Sequence, residues 1–206
     1  YKKTSMKIKI ALCITLVLTT LCISCTNKQN KTKSDTIKAE TTTLSNKSSI
    51  KQNAISQVAL KDADPEVRKN AVNKLTLQST LSQVALNDID VEVRKLAIMK
   101  LTLQSTISEV ALQDSVVEIR KLAVSKLIHQ GVLAKVALND NNVEVRKLAV
   151  SKLTLQSLLS EVALNNSFAE VRKLAVTKLT DKSTLAQVAL KDKDAEARKL
   201  AKDKLD

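Results

Sequence analysis

The feature that most constrains this chain is a strict 26-residue period. Six segments align without a gap. VALKDADPEVRKNAVNKL starts at Val58, VALNDIDVEVRKLAIMKL at Val84 and VALQDSVVEIRKLAVSKL at Val110. VALNDNNVEVRKLAVSKL follows from Val136, VALNNSFAEVRKLAVTKL from Val162 and VALKDKDAEARKLAKDKL from Val188. Such repetition means one small unit stacked on copies of itself, because a unit this short cannot bury its apolar face alone. One Gly and one Pro in the whole chain leave few tight turns of the kind that build sheets. Tyr1 and Phe168 are the only aromatics, so the core must come from Leu, Val, Ile and Ala. That composition suits thin layers of closely packed helices.

Each unit reads as two short helices. In the second unit, Ser79 is a plausible N-cap for a first helix whose Leu81, Val84 and Ala85 share one face. Asp90 caps a second helix with Val93, Leu96, Ala97 and Leu101 as its apolar stripe. In the first unit, Asp64-Pro65 places a capping Asp before a Pro suited to the first helical position. Helices of about ten residues are marginal in water, so stacking must supply their stability.

An Asp in the turn with a Val-Arg pair beyond it, as in Asp88 with Val93-Arg94, resembles HEAT-like repeats. The likeness is to the short bacterial and phycobilisome-lyase type, and the unit is also similar to the leucine-rich repeat variant. The resemblance covers residues 53–206 and implies an all-α fold, a right-handed α-solenoid of six 26-residue helix-pair repeats. It also implies an Asp–Arg ladder along the stack. Its members here are Asp62, Asp88, Asp114, Asp140 and Asp192 with Arg68, Arg94, Arg120, Arg146, Arg172 and Arg198. Asn166 replaces Asp in the fifth unit, where the ladder should be weaker.

The ends differ from the middle. Asn70 occupies the position of Leu96, Leu122, Leu148, Leu174 and Leu200, and Lys202 that of Val72, Ile98, Val124, Val150 and Val176. These read as polar caps on the two terminal units, so six units are expected to close the array as a monomer.

Residues 1–24 read as an export signal. Lys2, Lys3, Lys7 and Lys9 precede an uncharged stretch from Ile10 to Ile23. As a helix it would reach roughly 21 Å, short of the ~30 Å hydrocarbon core. Leu21-Cys22-Ile23-Ser24-Cys25 resembles the lipobox of bacterial lipoproteins, with Cys22 where Leu is usual. That resemblance implies acylation of Cys25 and a place in the cell envelope, tethered to a membrane. Cys13 and Cys22 would leave with the leader, and the remaining Cys25 would have no disulfide partner. Residues 25–52 are rich in Thr, Ser, Lys, Asn and Gln and read as a flexible tether.

Net charge is +13, of which residues 1–50 carry +7 and the array +6. Two Lys rows recur in register along the second helices, which line the concave face in HEAT-like folds. Lys69, Lys95, Lys121, Lys147, Lys173 and Lys199 form one, and Lys74, Lys100, Lys126, Lys152, Lys178 and Lys204 the other. A solvated face is the plain reading of these rows, and a surface for an acidic partner the functional one. Export and the lack of aromatics for base stacking disfavour nucleic acid.

No phosphate loop, nucleophile–base pair or carboxylate cluster recurs, and His129 is the only His, so neither an enzyme nor a metal or other cofactor is expected. The expected function is a membrane-tethered scaffold that binds a protein or peptide, acidic ones included. A structural spacer, or a non-catalytic accessory to an enzyme, is the alternative.

Overall fold

The computed structural model of the chain describes residues 47–206. The leader, Cys25 and the tether up to residue 46 lie outside the described residues.

Twelve helices and no strand make up the described residues. The first helices of the six units are α1 (47–61), α3 (Gln78–Asn87), α5 (Gln104–Gln113), α7 (Gln130–Asn139), α9 (Gln156–Asn165) and α11 (Lys182–Lys191). The second helices are α2 (Pro65–Lys74), α4 (Val91–Lys100), α6 (Val117–Lys126), α8 (Val143–Lys152), α10 (Ala169–Lys178) and α12 (Ala195–Asp203). From the second unit on, first packs on second within a unit, and like stacks on like between units, which is the solenoid arrangement. The second helices contact one another more extensively from unit to unit than the first helices do, so they form the inner layer of the stack.

Helix boundaries follow local chemistry in the second helices. Asp64 accepts the Glu66 N–H ahead of Pro65, Asp90 accepts that of Val93, and Asn142 and Asp194 act in the same way. The first helices begin otherwise. The N-cap of α3 is Leu77 and not Ser79, which lies inside the first turn, and no side chain caps α3, α5, α7 or α9.

Their first helical residue does different work. Gln78 Nε2 donates to the Lys100 carbonyl at 3.4 Å, and its Oε1 accepts the Thr102 N–H at 2.8 Å. It thereby satisfies groups left over where α4 ends. Gln104, Gln130 and Gln156 repeat the clasp. Gln52 makes it to Lys74 and Thr76, so the repeat includes Gln52, and helix already runs from residue 47. Residues 47–52, expected within the tether, are thus helical.

The core is a continuous column of small and branched side chains. Val84, Ala85, Val93, Ala97, Ile98 and Leu101 of the second unit are buried, and so are their counterparts in the third, fourth and fifth units, whereas Val58 and Val67 of the first unit are exposed. Burial of each Val, Leu or Ile contributes about 1.5–3 kcal/mol, which ten-residue helices need from their neighbours. At the ends, Asn70 and Lys202 are exposed, whereas the Leu row they interrupt is half-buried and the Val row fully buried.

Gly131 sits in the first turn of α7, where Ser79, Ser105 and Ser157 stand in other units. Its φ is not positive, and an added Cβ would meet nothing within 4 Å. The Gly thus costs chain entropy with no steric return. Gly131→Ala is expected to stabilise by about 0.5–1 kcal/mol. Chemical denaturation followed by circular dichroism checks this, and a lower midpoint would contradict it.

Candidate functional site: the inner face and the ladder beneath it

The ladder runs between units, with Arg68, Arg94, Arg120 and Arg172 each reaching the Asp twenty residues on. Arg68 Nε and Nη2 donate to the two Asp88 carboxylate oxygens, both at 2.8 Å. Arg94 meets Asp114 at 2.9 and 3.2 Å, Arg120 meets Asp140 at 2.7 and 3.0 Å, and Arg172 meets Asp192 at 2.8 Å twice. In these rungs Nη1 holds the backbone of its own turn, as in Arg68 to the Asp62 carbonyl at 2.8 Å, and Arg198 does the same with Asp192 at 2.7 Å. Each carboxylate also closes its turn by accepting the N–H two residues on, as Asp62, Asp88, Asp114, Asp140 and Asp192 do.

The rungs are nearly dry, with side chains 4–11% exposed. Hydrogen bonding to the Arg172 guanidinium holds the Asp192 carboxyl below the usual carboxylate range. A depressed carboxyl contributes stability that is present above its ordinary value and lost as pH falls through the depressed one, so this rung outlasts mild acid.

The two Lys rows have different fates. In the second, each ammonium reaches back to the last turn of the preceding second helix. Lys100 donates to the carbonyls of Val72 and Asn73, Lys126 to Ile98 at 2.8 Å and Met99 at 2.6 Å, and Lys152 to Ser125. Lys178 donates to Val150 and Ser151, and Lys204 to Thr177. Those carbonyls end their helices, where Val72, Ile98 and Val150 otherwise accept only the C-cap N–H, and a cation at a helix C-terminus is favourable. Burial lowers the Lys126, Lys152 and Lys178 ammonium values from normal. This row ties units together, each ammonium from Lys100 to Lys204 being engaged within the array. Lys74, in the first unit, has no second helix before it among the described residues.

The first row faces the groove but is largely neutralised. Lys69 pairs with Glu66 at 2.6 Å, Lys95 with Glu92 at 3.4 Å, and Lys147 with Glu144 at 3.1 Å and with Glu170 of the next unit at 3.6 Å. Lys173 pairs with Glu196 across a junction. Hydrogen bonds donated to these carboxylates raise Lys69, Lys147 and Lys173 above the ordinary ammonium value. Lys121 and Lys199 are exposed. The inner face is thus a Glu–Lys ribbon beside a half-buried Leu row. Between α2 and α4 it opens into a pocket of about 300 Å³ lined by Glu66, Lys69, Asn70, Asn73, Glu92, Lys95, Leu96 and Met99.

Neither the Gln clasp nor the Lys cap was anticipated from the sequence. The recurrence of Gln52, Gln78, Gln104, Gln130 and Gln156 at the repeat spacing was the available signal. His129 is the N-cap residue of α7, exposed and making no capping bond. No protein-family model matches the chain, and a search of curated proteins returns no match.

Proposed function

We propose that the chain is a non-catalytic scaffold of HEAT-like type that binds a protein or peptide segment along the inner face of its second helices. The proposal includes an exported chain, held at a membrane through acylated Cys25. The observation that carries the binding role is the periodic inner face. A ribbon of both charges runs beside the apolar row Leu96, Leu122, Leu148, Leu174 and Leu200, with Met99 57% exposed among them. A segment with apolar side chains on one edge and mixed charges on the other complements that surface. Paired Glu and Lys exclude strangers of one sign more than they attract partners.

Photo-crosslinking amino acids placed at Met99 and Ser151, and at Leu112 on a first helix, test this in the native cell with the full chain. Adducts are expected from the two inner positions alone. Adducts from Leu112 only would sink the inner-face reading, and none from any position would favour the spacer. That second reading has its own support, since the Lys126 row and much of the Lys69 row are spent on contacts within the array. For the anchor, a palmitate analogue should label the chain, and labelling that persists in Cys25→Ala would rule out that site.

A further inference from the structure

The junction between the fourth and fifth units departs from the others twice at one turn. Asn166 replaces the rung carboxylate, and Phe168 replaces the capping residue that is Asp64, Asp90 or Asp194 elsewhere. Arg146 consequently adopts another pose. Its Nε donates to the Asp140 carbonyl, and its Nη1 to Asn166 Oδ1 at 3.3 Å and Ser167 Oγ at 3.2 Å. The Phe168 ring lies 4.8 Å from the guanidinium carbon. Arg146 is only 8% exposed, and no carboxylate pairs with it among the described residues. All enclosed side-chain nitrogens and oxygens there have partners, so Nη2, which has none, reaches the surface.

The same turn leads into α10, a ten-residue helix without a side-chain cap. Its Ala169 and Glu170 N–H groups have no side-chain acceptor and carry the positive end of the helix dipole. Val116 leaves α6 uncapped too, but there Arg94 and Arg120 keep their carboxylates. Only at α10 do an unneutralised, nine-tenths buried guanidinium and a bare helix start coincide. Four other junctions show what such an Arg accepts in this fold, a carboxylate gripped by two N–H donors.

We propose that Arg146, Ser167 and the first turn of α10 form a carboxylate-binding site, filled from outside the chain by the acidic side chain of a partner. Asn166 Oδ1 fills the place of the rung carboxylate without its charge, and such an anion supplies that charge and the helix-start acceptor from outside, while the exposed Phe168 edge offers an apolar contact beside it. Burial keeps the Arg146 guanidinium below its ordinary value, whereas carboxylates raise Arg68, Arg120 and Arg172. The site stands independently of the inner-face reading, since it uses none of that ribbon.

The test titrates the full chain with sodium acetate at constant ionic strength, following the Ala169 and Glu170 amides and the Arg146 side chain by NMR. Saturable shifts confined to these groups are expected, with millimolar affinity. Asn166→Asp and Phe168→Asp, which each return a carboxylate in cis, should weaken acetate binding at least tenfold, and Asn166→Asp should also raise the melting temperature by about 5 °C. Shifts that fail to saturate, or that are undiminished in Asn166→Asp, overturn the proposal. A short Gly-Asp-Gly peptide separates the sources. Tighter binding than acetate upholds a partner's side chain, and weaker binding overturns that source in favour of a small organic acid.

Discussion

Asp114→Ala is expected to destabilise the array by about 3–5 kcal/mol, because it leaves Arg94 charged and unpaired at a nearly dry junction. Arg94 and Asp114 are 10% and 7% exposed at their side chains, so water replaces little of what is removed. The substitution also deletes the acceptor of the Val116 N–H, bonded at 2.8 Å, which closes the turn before α6. A domain is stable by only about 5–15 kcal/mol, so the loss is a large share of the total. The melting temperature should fall on the order of 10 °C. Asp114→Asn should cost less, since the amide retains the turn bond, as Asn166 does with the Phe168 N–H at 3.0 Å. Hydrogen exchange should locate the damage around α4 and α6, because stability in a repeat array is a sum of nearest-neighbour terms. An Asp114→Ala protein within 1 kcal/mol of wild type would show that the rung is not a structural ion pair.

Leu127→Ala is the second large effect, expected at about 2–5 kcal/mol. Leu127 ends α6 as its C-cap residue, its N–H shared between the Ala123 and Val124 carbonyls, and its side chain is 0% exposed. Truncation leaves a cavity that stacked helices, held by rungs on one edge and Gln clasps on the other, cannot readily collapse to fill. Leu155→Ala is the contrast. That side chain is 51% exposed at the start of α9, and its loss should stay within about 0.5 kcal/mol. Equal effects at the two positions in urea denaturation would contradict the packing described.

Much of the architecture was legible before any coordinates. The period located the units, and Asp64-Pro65 and Asp90 marked second-helix starts, because capping is a contact between residues two or three apart. The resemblance also supplied the rung residues, with Asn166 as the exception. The contacts of the Lys rows were less legible. Lys100, Lys126, Lys152, Lys178 and Lys204 look like a solvent row along one helix face, yet their acceptors lie 27 or 28 residues back, in the unit below. Ser79 looked like a cap because Ser suits that role locally, but Gln78 is tied to the end of α4 and helix starts there.

What the sequence determined by itself is whatever depends on neighbours along the chain: the helix-pair unit, its period, the capping Asp residues and the apolar columns. Only the stacking of one unit on the next decided the rest. It set which Asp each Arg grips and turned one Lys row into helix caps. It also left Arg146 beside an uncapped helix, without the carboxylate that its counterparts hold. The physical reason is common to all of these. Each is an electrostatic or hydrogen-bonding contact between groups some twenty or more residues apart, and its value depends on a burial that exists only once the units are stacked.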